Sequence, residues 1–283
     1  MLRRFTALTA LFAAAGPALS QEAGPTTVPW AFSSYFGTGW YQVGDDRDAF
    51  ALRYVYRKRL LEARIDDAGR HPGLEWRLPV TLGFDRFPLD DLAGSLDPGN
   101  FASLSVTPGL WLDLPVSERW QLRPFAALGW GAVLDGDDSA FIYQAGVLSR
   151  FVFADGPLRP ALVQSLGYVG YSPSEGGSEG FWPLLTALEF GHPLVEFGEG
   201  DDGLRLVWHV AHTHFHGQLD LRRPDGSLES ISEQWEAGLA LRRRAGRLDF
   251  GWFSLDRLGL AYRFSSDGEL EGIGLVVSSL FDQ

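Results

Sequence analysis

The stretch LEWRLPVTLGFD, residues 74–85, decides the fold class because it keeps two chemically different faces at a strict spacing of two residues. Its even positions are all apolar, whereas Glu75, Arg77, Thr81 and Asp85 alternate with them. A period of two is typical of a β-strand whose faces meet different environments, and a proline at position 79 disfavours a helix. In a soluble sandwich the apolar face would meet a second sheet, whereas in an outer-membrane barrel it would meet lipid and the charges would line the lumen.

Strand-like runs of the same kind follow one another from Val28 to Phe281, separated by turns rich in Gly, Asp, Pro and Ser. We count about twelve of them. The connections after even-numbered runs are mostly short, whereas those after odd-numbered runs include the long acidic stretch 86–100, as is usual in outer-membrane barrels. An even number of strands also lets the last strand meet the first in antiparallel fashion. The sequence therefore predicts an all-β fold, a single antiparallel transmembrane β-barrel of about twelve strands.

The N-terminus has the parts of a secretory signal peptide. Arg3 and Arg4 precede the apolar run Phe5–Ala15, and the small-residue sequence Ala18-Leu19-Ser20 follows it. Because the apolar run is too short to cross a bilayer as a helix, we predict a cleaved signal peptide over residues 1–20. A short N-terminal lead over 21–27 and the barrel over 28–283 complete the predicted organisation.

Composition narrows the classes of protein further. The chain has 283 residues, 45% of them hydrophobic, and no cysteine. An exported protein without disulfides needs another source of stability, which a closed hydrogen-bonded sheet can supply. Removal of the signal peptide takes the formal net charge from −12 to −14, which excludes nucleic acid as a partner. The mature chain contains no apolar run long enough for a transmembrane helix, which excludes an inner-membrane protein.

The last run, GIGLVVSSLF at residues 272–281, carries apolar residues at alternate positions. It resembles the C-terminal signature by which Gram-negative outer-membrane barrels are recognised for assembly, and the matching residues are Ile273, Leu275, Val277 and Phe281. Ser279 interrupts the alternation, and Asp282-Gln283 follow where the family usually ends. In its architecture the whole mature chain resembles the solitary autotransporter-like barrels, which have no passenger domain. The resemblance implies a location in the outer membrane of a Gram-negative bacterium and the barrel-assembly machinery as a partner.

Charged side chains on the inward face of these runs form the candidate functional set. The residues predicted to line the lumen are Arg53, Arg57, Glu75, Arg77, Arg123, Arg150, Glu189, His209, Glu236, Arg242, Arg257 and Arg263. Because three carboxylates cannot pair with all of the guanidinium groups, the set predicts a solvated, positively biased lumen that prefers anions. Twelve strands lie between the barrels that side chains fill and those that leave a channel, so the sequence leaves open whether the lumen is plugged.

Three histidines in an H-x-H-x-H pattern, His212, His214 and His216, lie on the outward face of one run. They could hold Zn²⁺ or Cu²⁺ as a metal site, or they could be interfacial residues at the edge of the membrane. Outer-membrane lipases carry a serine two residues after the catalytic histidine. No histidine of this chain is followed by a serine at that position. We therefore expect no catalytic residues and no cofactor.

The predicted function is that of a non-enzymatic integral outer-membrane protein, either structural or a small anion-preferring pore. Its expected partners are outer-membrane lipid and lipopolysaccharide, which the acidic outer loops could join through bridging divalent cations. Two alternatives remain, a lipid-modifying hydrolase in the outer membrane and a soluble exported β-barrel or sandwich that binds a ligand. The soluble alternative should pack its apolar strand faces against each other, whereas the membrane barrel should expose them as a belt.

Overall fold

The structure is a computed structural model that describes residues 37–43, 47–85, 101–134, 138–156, 158–174, 177–196, 203–222, 228–243, 248–249 and 254–282. The predicted signal peptide and N-terminal lead lie outside the described residues, as does the beginning of the first predicted strand. No helix in this part of the chain is long and apolar enough to cross a membrane.

Nearly all of the described chain is β-strand. The barrel strands, numbered in chain order, are β1 Gly39–Val43, β2 Arg47–Leu61, β3 Gly73–Asp85, β4 in two segments Phe101–Val106 and Gly109–Ser117, β5 Trp120–Val133, β6 Ser139–Val152, β7 Ala161–Pro173, β8 Glu179–Glu196, β9 Gly203–Arg222, β10 Leu228–Arg243, β11 Arg257–Phe264 and β12 Leu270–Val276. Two small antiparallel pairs lie outside the barrel sheet, Arg64–Asp66 with Gly69–His71 and Leu248–Asp249 with Ser254–Leu255.

The barrel closes through its first strand. β1 pairs in antiparallel fashion with β2 and also with β12, so that Trp40 lies opposite both Phe50 and Ile273. The described strands thus form one closed antiparallel sheet of twelve strands, which confirms the predicted fold class. The sandwich alternative is wrong because the chain makes a single closed sheet and not two packed ones.

The two faces of the sheet are inverted relative to a soluble protein. On β3, Arg77 is 1% exposed and Glu75 is 8% exposed, whereas the apolar residues that alternate with them point outward. Leu260, in the middle of β11, is 56% exposed. One outward row of apolar side chains runs from strand to strand in register: Phe190, Trp208, Leu239, Leu260 and Leu275. An apolar belt outside and charges inside are what lipid on the outer face requires.

Aromatic side chains border this belt. At the end where β6 begins, outward rings make a continuous series of contacts across β6, β7 and β8, formed by Phe141, Tyr143, Tyr168 and Trp182 with centroids 4.9 to 6.1 Å apart. At the other end of β6, Phe151 and Phe153 pack edge to face at 5.4 Å. Aromatic bands on both sides of an apolar band are typical of membrane–water interfaces.

The last strand is shorter than the sequence pattern predicts. β12 ends at Val276, and the chain then turns inward to a short 3₁₀ helix, Leu280–Asp282. Ile273 and Leu275 point outward, 47% and 43% exposed, whereas Phe281 is 4% exposed inside the barrel. The prediction of a strand that continues to Phe281 is therefore wrong. We call residues 277–282 the tail.

Candidate functional site in the barrel lumen

The lumen has two ends, which we name the hairpin end, where β11 turns into β12, and the tail end, where β12 stops. Inward side chains fill the hairpin end and form one apolar cluster: Tyr41, Ala51, Ala140, Ile142, Val169, Tyr171, Phe181, Phe215, Ile231 and Leu270. Phe181 and Ile231 are 0% exposed, and Phe181 packs edge to face on Phe215 at 5.4 Å. The described side chains at this end are therefore closely packed against one another.

The tail carries a second apolar cluster into the lumen. Leu280 and Phe281 pack against inward side chains of β6 to β9, namely Leu148, Val163, Ala187 and Ala211, with Phe125 and Leu185 at the edge. Both tail side chains are 4% exposed. Their burial stabilises the folded-in position of the tail by roughly 3–6 kcal/mol in area terms, before the entropy of ordering the tail is subtracted.

Three arginines hold the end of the tail by charge-assisted hydrogen bonds. Arg57 and Arg77, opposite each other on β2 and β3, both donate to the backbone carbonyl of Asp282, at 2.6 and 2.8 Å. Arg123 on β5 donates to the Asp282 carboxylate at 2.6 Å and to the Phe281 carbonyl at 3.0 Å. Its guanidinium carbon also lies 4.3 Å from the centroid of the Phe281 ring. Apolar burial and ionic contacts together hold the tail inside the lumen, and we use the name plug for the docked tail.

The carboxylate of Asp282 is the ionic centre of this plug. Burial by itself would raise the pKa of this carboxyl, but the positive charges of Arg123 and Arg57 outweigh burial and hold the pKa below its ordinary value. Ser279 also donates a hydrogen bond to the same carboxylate at 2.7 Å. Asp282 is therefore ionised whenever the tail is docked near neutral pH.

A second ionic group lies beside the plug at the tail end. Glu189 on β8 accepts a hydrogen bond from Arg257 at 2.6 Å and lies 3.8 Å from Arg150. Asp256 accepts from Arg257 at 3.1 Å and lies 3.5 Å from Arg242. Two carboxylates thus face three arginines. Arg257 is bonded closely, whereas Arg150 and Arg242 lie at longer distances of 3.8 and 3.5 Å.

A third ionic group lies deeper in the lumen around Glu236 on β10. One carboxylate oxygen is bonded to His209 Nε2 at 2.7 Å, and the other accepts from Arg263 Nε. Arg263 in turn donates to the hydroxyl of Tyr41. Gly238 lies opposite His209, and a Cβ built there would come within 2.1 Å of the imidazole. Glycine at this position makes the room that the buried histidine needs.

Between the apolar cluster and the plug lies a cavity of about 110 Å³, which we call the chamber. Its polar wall is formed by Arg53, Gln144, Thr213, Gln234, Glu236 and Arg263, and Leu280 of the tail forms part of its apolar wall. The chamber is large enough for several water molecules or for a small ligand.

Three carboxylates of the described lumen were not predicted from the sequence, namely Asp113, Asp256 and Asp282. Asp113 pairs with Arg123, and continuing the inward alternation of β4 to residue 113 would have identified it. Asp256 immediately precedes Arg257, and Asp282 reaches the lumen only because the tail folds inward. The assumption that only three carboxylates are available to the inward arginines is wrong for this reason, and Arg77, Arg123, Arg257 and Arg263 are all paired.

The three outward histidines of β9 do not come together as a metal site. His214 and His216 have ring centroids 5.9 Å apart, whereas His212 is bonded to Glu233 at 3.1 Å and packs on Trp235. Among the described residues there is no group of three or more His, Cys, Asp or Glu side chains that could hold a metal ion. Their position at the rim, next to an outward tryptophan, fits the interfacial interpretation.

A closed antiparallel barrel with an apolar belt, aromatic borders and a charged interior defines the class of transmembrane β-barrels. No family model and no curated protein matches the chain. Among solved structures it is similar to the translocator domain of the autotransporter NalP from Neisseria meningitidis, with a TM-score of 0.50 and 11% identity over 83% of this chain and 82% of that one. The similarity confirms an autotransporter-like barrel fold.

Proposed function

We propose that this protein is an integral outer-membrane β-barrel with a closed lumen, structural and not conducting. The observation that carries the proposal is the inverted sheet, in which half-exposed Leu260 and Leu275 point outward while Arg77 and Arg257 are buried inside. Such a surface is stable in lipid and would aggregate in water. The similarity of the fold to a translocator domain from a Gram-negative bacterium agrees with an outer-membrane location.

Two separately packed layers of side chains inside the barrel favour a closed lumen and argue against a small anion-preferring pore. The apolar cluster packs the hairpin end, and the tail packs the tail end. A permanent water-filled path would have to cross both layers. The pore interpretation therefore requires that both layers move, whereas the structural one requires no motion.

Membrane insertion and conductance test the proposal separately. The mature chain, refolded in lipid, should float with vesicles and should migrate on gels with a heat-dependent shift. In planar bilayers it should give no steady current. Recovery in the soluble periplasmic fraction would overturn the membrane assignment, and a stable conductance would overturn the closed lumen.

We further propose that the protein is not an enzyme and that it contacts lipid, lipopolysaccharide and, during insertion, the barrel-assembly machinery. The buried His209 is engaged with Glu236, which is itself held by Arg263, so the imidazole serves an ion network. Hydrolysis of phospholipid or lipid A by the refolded protein, lost in a His209→Gln variant, would contradict this.

A further inference from the structure

Arg53, which is half-buried in the lumen, differs from the fully buried arginines there in making no ion pair with a described carboxylate, whereas such pairs are made by Arg77, Arg123, Arg257 and Arg263. Its backbone N–H and carbonyl are both bonded to the Thr38 hydroxyl, at 2.9 and 3.0 Å, which fixes β2 at this point. Its side-chain Nε is buried and has no hydrogen-bond partner. No carboxylate in the described part of the chain pairs with this guanidinium. Arginine cannot lose its charge in a protein, so the guanidinium is free to take a partner that the described strands do not supply.

Arg53 lines the chamber, and two other side chains of the same wall carry polar atoms without partners. Trp111 Nε1 is a buried donor and Gln234 Oε1 a buried acceptor, each without a hydrogen bond, and both residues line the same space as Arg53. Buried polar groups left unpaired cost roughly 1–3 kcal/mol each, so side chains that line this cavity have hydrogen-bonding capacity left for an occupant.

The charge of the chamber wall sets the charge of that occupant. Arg53 and Arg263 each contribute one positive charge and Glu236 contributes one negative charge. The wall therefore carries one net positive charge, which a single monovalent anion neutralises. Gln144, Ser165 and Thr213 add neutral amide and hydroxyl groups that can bond to an anion.

We propose that the chamber binds one small monovalent anion, a halide or a short carboxylate, with Arg53 as its main ligand. The cavity of about 110 Å³ admits such an ion with some water, and gluconate, a much larger anion, serves as the reference. The proposed site does not require the barrel to conduct ions, because a bound anion can stabilise a closed lumen as well as an open one.

The test uses the full mature chain refolded into detergent micelles at constant ionic strength, with sodium gluconate replaced by sodium bromide or by sodium acetate. We expect bromide, acetate or both to lower the unfolding equilibrium constant of the wild type about tenfold. Comparing bromide with acetate shows whether the chamber binds a halide or a short carboxylate. Crystals grown in bromide should show one anomalous peak in contact with the Arg53 guanidinium.

Arg53→Met removes the charge while keeping an unbranched side chain, and it should abolish both the bromide and the acetate effect. Arg119→Met is the matched control, because Arg119 is an exposed arginine in a turn, paired with Asp155 at 2.8 Å. The control should keep the full anion effect. A wild type that responds to neither anion, an Arg53→Met variant that responds as the wild type does, or a bromide peak elsewhere in the lumen would each overturn the proposal.

Discussion

At the scale of the residue, the lumen is governed by which arginine meets which carboxylate. Glu236 joins His209 and Arg263 in a setting where Glu236 is 6% exposed and His209 is 3% exposed. A charge buried this deeply depends mainly on its partners, because only a small part of it is accessible to water.

Glu236→Gln should lower the free energy of unfolding by about 3 kcal/mol, since it leaves Arg263 as an uncompensated buried charge. Denaturant unfolding of the refolded barrel in micelles measures this. Glu62→Gln is the control, because the Arg59–Glu62 pair spans 3.7 Å with side chains 61% and 76% exposed, and it should cost at most about 1 kcal/mol. Equal losses in the two variants would show that the Glu236 network is not what stabilises the lumen.

The plug should respond to acid through Asp282. Its pKa in the docked tail lies below the unfolded value of about 3.9, so its ionic stabilisation is fully present above that pH and is lost as the pH falls through the lower, folded pKa. Wild type should therefore be more stable than Asp282→Asn at pH 7. The difference should remain constant down to about pH 5 and disappear in stronger acid. A difference that grows as the pH falls would contradict the charge pairing with Arg57 and Arg123.

At the scale of the element, the break in β4 depends on a glycine in the neighbouring strand. Pro108 cannot donate a backbone hydrogen bond, and at the break the Thr107 N–H reaches across to the Pro79 carbonyl at 3.0 Å. A Cβ built on Gly129 of β5 would lie 2.1 Å from the carbonyl oxygen of Val106. The chain at the break can approach β5 this closely only because residue 129 has no side chain.

Gly129→Ala should therefore destabilise the barrel by roughly 1–3 kcal/mol, because the backbone of β4 has to move. Gly274→Ala provides the matched control on another inward strand position, where the nearest atom to the built Cβ is 3.4 Å away. We expect that control to be near neutral. Thermal unfolding of both variants in the same micelles compares them, and equal melting temperatures would argue against the close approach.

At the scale of the whole molecule, the belt determines where the barrel is stable. Leu260→Arg places a charge on the outward face in the middle of β11, which should cost about 2–4 kcal/mol in a bilayer. Leu61→Arg, at the end of β2 where the outward residue is 60% exposed, should cost no more than about 1 kcal/mol. Unfolding in lipid vesicles measures both. If the two variants were equally stable, the outward face would not be in contact with the hydrocarbon.

The sequence by itself determined the number of strands and which face of each strand is apolar and which is charged, because a period of two is a local property of the chain. It identified Arg77, Arg123, Glu189 and Glu236 as inward residues, and all four are buried in the lumen. It also predicted the autotransporter-like architecture, since the loop pattern and the even strand number follow from the order of the runs.

Only the tertiary structure decided how the lumen is filled. The partners of an inward arginine come from strands far apart in the chain, and Arg123 meets Asp282 across a separation of 159 residues. Alternation gives the face of a side chain but neither its height in the barrel nor its neighbour across the lumen. The inward turn after Val276 follows from the energy gained when Leu280, Phe281 and Asp282 dock on seven different strands, which no local sequence pattern in residues 277–282 records.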